Sequence, residues 1–75
     1  MKQELVKSPE QIGAAVNLHG DRLFRLCFIM LGGRADAEDA VQETMIRYMQ
    51  KAPAFETAEH EKAWLITTAK NKCRD

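Results

Sequence analysis

Two breaks, at Gly32-Gly33 and at Pro53, divide this sequence of 75 residues into three segments whose apolar residues recur at helical spacing. None of the segments alternates apolar and polar residues as a strand does, and the sequence contains no internal repeat. A chain this short allows one domain with a small core. The pattern therefore predicts an all-α fold, a small three-helix bundle, with helices over about residues 8–31, 36–51 and 60–75 and a loop over residues 52–60.

The first segment begins with a strong helix N-terminus. Ser8 supplies a capping hydroxyl, Pro9 suits the first helical position, and Gln11 can reach back to the amide of the cap. The glycine pair at 32–33 suits a left-handed C-cap. Gly20 weakens a helix by about 1 kcal/mol relative to alanine, so we expect a bend or fraying near it. The expected buried stripe is Ile12, Val16, Leu23, Cys27 and Met30.

The second segment has two faces of different character. Asp36 is the expected N-cap, and Pro53 ends the helix. The face expected to pack into the bundle carries Ala37, Val41, Thr44, Met45 and Tyr48. The opposite face carries Asp39, Gln42, Glu43 and Ile46. An apolar Ile46 among polar side chains favours a protein interface, although a solvated helix face is the plainer interpretation of the acids.

The third segment follows a loop that is polar apart from Phe55, and either Thr57 or Glu59 precedes the helix. Its inward stripe is expected to be Leu65, Ile66, Ala69 and Cys73. A second row consists of His60, Trp64, Thr67 and Asn71, bordered by Lys70 and Arg74. This helix is the one electropositive element, and the single tryptophan lies beside its basic side.

Charge and cysteine content narrow the classes of function. Eleven Lys and Arg balance eleven Asp and Glu, so any contact with nucleic acid must be local. Cys27 and Cys73 show neither a paired framework nor metal-ligand spacing, and adding His19 and His60 does not produce a zinc pattern. We therefore expect no metal site, and a reducing, cytoplasmic setting.

Export and catalysis are also disfavoured. The N-terminal residues MKQELVKSPEQ lack an apolar signal core, and the longest apolar stretch, residues 26–31, is too short to span a bilayer, so we expect no membrane partner. No glycine-rich phosphate loop, nucleophile elbow or paired-carboxylate arrangement with a plausible base is present. The expectation is a binding protein that is not an enzyme and needs no cofactor.

The stretch DAEDAVQETMIRYMQK (36–51), a loop, and then KAWLITTAKNKCRD (62–75) resemble conserved region two of the extracytoplasmic-function (ECF) sigma factors. The resemblance covers roughly residues 12–75 and includes an acidic A-E-D-x-V-Q-E helix, an aromatic in the loop, and an A-W-L…N…D helix, in that order. The sequence departs from the family pattern at Glu61, where many members have an aromatic, and at Thr68, where an aliphatic is usual.

The resemblance implies a domain that recognises and melts promoters by binding. It implies that the acidic helix docks on the clamp coiled coil of the largest RNA polymerase subunit, through Asp39, Gln42, Glu43 and Ile46. It also implies that the loop captures a base flipped from the non-template strand of the minus-ten element, while the last helix holds the flanking backbone. The implied DNA-binding residues are Phe55, Glu56, Thr57, His60, Trp64, Thr67, Lys70, Asn71 and Arg74. Core RNA polymerase, single-stranded promoter DNA and an anti-sigma factor are the implied partners.

Several residues have a second interpretation. Trp64 is as well suited to the core as to wedging a duplex open. Phe55, an aromatic in a loop, is more typical of an anchor that pins the loop to the bundle than of a base-stacking platform. Lys70, Asn71 and Arg74 also fit ordinary surface polarity at a helix end. The rival function is a helical protein–protein adaptor that binds a regulatory partner without nucleic acid. A duplex-binding helix-turn-helix fits less well, because its recognition helix usually carries more base-reading arginines or glutamines and follows a tighter turn. The resemblance also implies a separate helix-turn-helix that reads the upstream promoter element, so we expect the 75 residues to be part of a longer chain.

Overall fold

The computed structural model describes residues 7–75, which form three α-helices joined by short connections. The helices are α1 (Pro9–Leu31), α2 (Arg34–Lys51) and α3 (Ala58–Arg74), and each packs against the other two. The prediction of an all-α three-helix bundle is confirmed. Residues 1–6, which belong to the stretch expected to lack a signal core, lie outside the described residues.

The N-terminus of α1 has the predicted capping box. The Ser8 hydroxyl oxygen accepts from the Gln11 amide at 3.2 Å, and the Gln11 side chain accepts from the Ser8 amide at 2.8 Å. Gly32 ends the helix in the left-handed conformation, with φ of 78°. The residues around Gly20 are helical, so the fraying expected there does not occur.

The buried stripe of α1 differs in part from the predicted one. Leu23 and Cys27 are buried as expected, whereas Val16 is 44% exposed and Met30 is 39% exposed. The residues that are buried recur every four positions: Ala15, His19, Leu23 and Cys27. Because a helix has 3.6 residues per turn, such a stripe winds around the axis. Val16 and Met30 lie to either side of it, so the prediction for these two residues was wrong.

α2 begins two residues before the predicted start. Its N-cap is Gly33, in extended conformation and without a side-chain cap bond, so the prediction of Asp36 as the cap was wrong. The left-handed Gly32 followed by an extended Gly33 reverses the chain within two residues, which lets the helix start at Arg34. Asp36 lies in the first turn, where its charge favours the helix dipole.

The inward face of α2 largely follows the prediction. The buried residues are Ala37, Ala40, Thr44, Met45 and Tyr48, and Val41 is half-buried at the edge. The Thr44 hydroxyl donates to the Ala40 carbonyl at 2.8 Å, which satisfies a polar group inside the core.

α3 also starts earlier than predicted, at Ala58, so the loop covers residues 52–57. The Thr57 hydroxyl oxygen accepts from the His60 amide at 3.1 Å and caps the helix. Leu65 and Ala69 are fully buried, and Ile66 and Cys73 are half-buried against the core. None of the helices within residues 7–75 has the length and apolar character needed to span a bilayer.

Candidate functional site

The outer face of α2 exposes most of the row expected to bind a protein. Asp39, Gln42 and Ile46 are exposed, and Glu43 is half-buried. Ile46 belongs to a larger apolar surface, because it lines an open groove between α1 and α2. The groove is lined by Val16, Val41, Gln42, Met45, Ile46 and Met49. This groove was not evident from the sequence, because helical spacing placed Val16 in the core and Met49 on neither face of α2.

The loop between α2 and α3 is pinned by an aromatic cluster. The Phe55 ring lies parallel to the Tyr48 ring, with 6.4 Å between centroids and 7° between planes. Trp64 meets both rings edge-on, at 6.0 Å from Phe55 and 6.2 Å from Tyr48. Phe55 therefore anchors the loop to the bundle. Trp64 is half-buried, so it packs on this cluster and still contributes to the surface.

Lys7 fixes the loop from the other side. Its ammonium group donates to the Pro53 carbonyl at 2.7 Å and lies 4.9 Å from the Phe55 ring centroid and 5.4 Å from that of Tyr48. A cation over an aromatic face is attracted to it, more strongly when both are shielded from water, and Lys7 is buried. Sequence analysis missed Lys7 because it meets the loop only through the tertiary fold.

Glu61 joins all three helices beneath the loop. One carboxylate oxygen accepts from the Tyr48 hydroxyl at 2.6 Å, and the other lies 3.0 Å from the His19 Nε2 atom. Burial, together with the hydrogen bond to Glu61, raises the pKa of Tyr48 above its ordinary value. Glu61, at a position where many members of the family have an aromatic residue, thus has two polar partners in the interior.

Trp64 lies between two shallow surfaces of α3. The more apolar one is lined by Phe55, His60, Ala63, Trp64, Thr67 and Thr68. The other is a pocket of about 220 Å³ between α2 and α3, lined by Arg47, Lys51, Trp64, Thr68, Asn71, Lys72 and Asp75. The Thr68 hydroxyl donates to the Trp64 carbonyl at 2.8 Å, so this second departure from the family pattern is also satisfied within the fold.

The pocket adds three cations to the expected basic surface. Arg47 and Lys51 come from α2, and Lys72 comes from α3. At the C-terminal end of α2, the sequence pattern explains Arg47 and Lys51 equally well as cations that favour the helix dipole. Their four-residue spacing on one side of α2 was the available signal. Lys70 and Arg74 are exposed but do not line this pocket.

The polar side chains of the loop differ in exposure and in whether a hydrogen bond within the fold already occupies them. Glu56 and His60 are exposed. The hydroxyl oxygen of Thr57 is occupied by its capping bond, which leaves Glu56 as the less constrained polar side chain. No cluster of three or more His, Cys, Asp or Glu within the described part of the chain is arranged to hold a metal ion.

Similarity to known proteins agrees with this architecture. The family model of Sigma-70 region 2 matches residues 15–75, so the chain belongs to the Sigma-70 region 2 family. It is 40% identical over 58 residues to the ECF RNA polymerase sigma factor SigL of Mycobacterium tuberculosis, a match that covers 76% of this chain and 33% of SigL. The resemblance to region two of ECF sigma factors is thereby confirmed.

Other ECF RNA polymerase sigma factors match at similar length. SigW of Bacillus subtilis is 34% identical over 56 residues, covering 75% of this chain and 30% of SigW. BldN of Streptomyces coelicolor is 30% identical over 67 residues, covering 88% of this chain and 25% of BldN. The chain thus spans at most a third of the length of these relatives. No solved structure is significantly similar to it.

Proposed function

We propose that this chain is the promoter-recognition and promoter-melting domain of an ECF sigma factor. In this proposal it docks on the clamp of core RNA polymerase and captures the non-template strand of the minus-ten element during transcription initiation. The observation that carries the proposal is that α2 contributes residues to two different surfaces. One flank of α2 forms the apolar groove with α1, and the other flank contributes Arg47 and Lys51 to the basic pocket beside Trp64. The acidic row faces outward on the same helix.

The acidic row and the groove together have the composition of a docking surface. Ile46 and the groove supply an apolar centre, and Asp39, Gln42 and Glu43 supply a polar rim that attracts a basic partner. A helical partner with basic and apolar side chains complements both features. The clamp coiled coil of the polymerase is the partner that the family membership favours.

The loop suits base capture because it is already held in place. Lys7 and Phe55 fix its inner side, while Ala54 and Glu56 are exposed on its outer side. A preorganised loop avoids part of the ordering cost of binding. Extruding a base costs a few kcal/mol, and stacking against an aromatic surface such as that of Trp64 offsets about 1–3 kcal/mol. Melting then needs no cofactor or nucleotide hydrolysis.

The basic residues around Trp64 suit the DNA backbone. Asn71 and Lys72 line the pocket, and Lys70 and Arg74 extend the basic surface along α3. Contacts with phosphates position a strand without reading its sequence. Base preference is therefore assigned to the loop, and affinity to α3 together with Arg47 and Lys51.

The test is binding of fluorescent oligonucleotides carrying the non-template minus-ten strand, with and without core polymerase, across a salt series. We expect single strands to bind more tightly than a blunt duplex of the same sequence. Lys70→Ala or Arg74→Ala should lower the salt slope by about one unit each, since each removes one phosphate contact. Lys62→Ala is the matched control, because it removes one positive charge from the same helix at a residue that pairs with Glu59 at 3.3 Å and is not among the proposed DNA-binding residues. Equal or tighter binding of the duplex would contradict the proposal.

A protein–protein adaptor is the second candidate, and the exposed apolar residues of α1 favour it. Leu18 is 63% exposed and Ile29 is 80% exposed. The two functions differ in their need for the basic surface. If Lys70, Asn71 and Arg74 are replaced together with no effect on any DNA-dependent activity, the adaptor is supported and the promoter-melting function fails.

A further inference from the structure

A pocket of about 250 Å³ opens beneath the loop, on the side that faces the start of α1. Its lining includes Lys7, Gln11, Ala14, Tyr48, Phe55 and Glu61. The pocket therefore combines two aromatic rings, an ammonium group and a carboxylate, and none of the proposed polymerase or phosphate contacts uses it. Pockets for drug-sized molecules begin at about 300 Å³, so this one suits a single flat ring with a polar edge.

The two charged groups of the pocket retain hydrogen-bonding capacity. The Lys7 ammonium has three N–H donors, and its bond to the Pro53 carbonyl at 2.7 Å uses one of them. A carboxylate can accept about four hydrogen bonds, whereas the contacts of Glu61 with Tyr48 at 2.6 Å and His19 at 3.0 Å occupy two sites. The Glu61 side chain is 20% exposed and lines the pocket, so a ligand there can reach it.

We propose that this pocket receives the extruded base of the non-template strand, and that Glu61 and Lys7 make it select cytosine over uracil or thymine. This inference rests on the proposed function and extends it from the capture of a base to the choice of base. Glu61 stands where many members of the family have an aromatic residue, so the selection belongs to this chain and does not follow from family membership.

The selection follows from the chemistry of the two charged groups. A carboxylate only accepts hydrogen bonds, and an ammonium group only donates them. Cytosine has an amino group beside a ring nitrogen, so the amino group donates to Glu61 while Lys7 donates to the neighbouring acceptors. Uracil and thymine have a carbonyl oxygen in place of that amino group, and this oxygen would repel the carboxylate. Their one ring N–H lies between two carbonyl oxygens, so no other orientation removes the repulsion.

A strand held along α3 can reach the pocket. Phe55 lines both the pocket and the apolar surface that contains Trp64. A base extruded beside Phe55 can therefore enter the pocket while its neighbour stays on Trp64. Extruded bases are read on their Watson–Crick edge and stacked on aromatic or apolar side chains, which Tyr48 and Phe55 supply here.

The experiment measures, by fluorescence anisotropy, how the chain with core polymerase binds single-stranded minus-ten oligonucleotides. Each position of the element carries cytosine in one oligonucleotide and uracil in another, because these bases differ in the hydrogen-bonding edge and not in a methyl group. We expect one position at which cytosine binds about fivefold or more tightly than uracil.

Glu61→Gln should abolish this preference, because an amide both donates and accepts hydrogen bonds, and its oxygen still accepts from the Tyr48 hydroxyl. Glu59→Gln is the matched control, since it removes the same charge from an exposed residue of α3 outside the pocket. This control should keep the preference. Circular dichroism and melting temperature check that both variants fold.

A second variant blocks the pocket without touching Glu61. Ala14 is exposed on α1 and lines the pocket, and leucine is a good helix former. Ala14→Leu should therefore lower the affinity for cytosine at the selected position to that for uracil. Ala35→Leu makes the same change at an exposed residue of α2 that does not line the pocket, and should have no effect.

Equal affinity for cytosine and uracil at every position, with single strands still bound, would overturn this inference and leave the proposed function standing. A preference for cytosine that survives both Glu61→Gln and Ala14→Leu would overturn the inference as well. Absence of any binding to single strands would overturn the proposed function and this inference together.

Discussion

Glu61 connects α3 with two buried side chains from the other helices, Tyr48 of α2 and His19 of α1. Its own side chain is 20% exposed, while that of His19 is 5% exposed. Without this carboxylate the Tyr48 hydroxyl and the His19 ring would lose their partner in the interior. A buried polar group left unpaired costs more than the net value of the hydrogen bond it has lost.

We therefore expect Glu61→Ala to lower the free energy of unfolding by about 1–3 kcal/mol. Urea unfolding followed by circular dichroism measures the change. Glu59→Ala is the matched control, because the Glu59 side chain is 80% exposed and pairs with Lys62, three residues further along α3. Exposed pairs of this kind contribute little to stability. Equal effects of the two substitutions would show that the Glu61 network does not stabilise the bundle.

The buried Tyr48 hydroxyl and the buried Cys27 thiol make the free energy of unfolding sensitive to alkaline pH. The pKa of Tyr48 is raised by burial and then by Glu61, and that of Cys27 is raised to about 12 by burial and then by Cys73. The folded chain therefore holds these protons more tightly than the unfolded chain, in which Cys and Tyr ionise near about 8.5 and 10. Their contribution to stability is complete below those values and is lost as pH rises through the folded-state pKa values.

The expected outcome is a free energy of unfolding that declines as pH rises above about 9. Urea unfolding at a series of alkaline pH values tests this. Tyr48→Phe lacks the ionisable hydroxyl, so its decline above about pH 10 should be shallower than that of the unchanged chain. A profile that stays flat to strongly alkaline pH would contradict the assignment.

At the scale of the helices, the outer face of α2 presents to solvent the row to which the proposed polymerase contact is assigned. Asp39 and Gln42 are both exposed. Replacing both with lysine reverses the charge that would attract a basic partner and leaves the packing intact. We expect weaker association with core polymerase and a nearly unchanged melting temperature, as is usual for surface substitutions.

The matched control for this pair lies on α1. Asn17 and Asp21 are exposed, four residues apart, and outside the groove between α1 and α2. Their replacement by lysine makes the same change of charge on a different surface. Equal polymerase affinity of the two double variants, measured by fluorescence anisotropy, would refute the assignment of the acidic row.

Local sequence signals predicted the positions of the helices better than they predicted which helical residues are buried. The capping box at Ser8 and the left-handed Gly32 were readable because caps depend on a few neighbouring residues. The winding of the buried stripe on α1, which exposes Val16, depends on how α1 crosses its neighbours. The start of α2 was missed because it is set by the backbone of Gly33 and not by a capping side chain.

In the candidate site, too, positions along one helix were predictable and contacts between helices were not. The row containing Trp64 and Asn71 was predictable because helical spacing places these residues on one face of α3. The contacts of Lys7 with the loop and of Glu61 with His19 join residues distant in sequence. Spacing within one helix contains no information about such pairs.

For the whole molecule, the net charge is zero, but the charged residues are distributed unevenly over the surface. Lys and Arg equal Asp and Glu in number, yet the acidic row faces outward from α2 while cations gather between α2 and α3. The bundle measures 32 × 32 × 18 Å. The proposed polymerase-binding and DNA-binding surfaces therefore lie on neighbouring flanks of one thin domain.

The aromatic cluster gives this molecule a built-in optical reporter. The chain has one tryptophan and one tyrosine, and Trp64 touches both Tyr48 and the loop residue Phe55. Light absorbed by Tyr48 can pass to Trp64 at this distance, and the emission of Trp64 depends on what covers its ring. Binding at the loop can thus be followed in real time in the unlabelled protein, from the wavelength and intensity of Trp64 fluorescence.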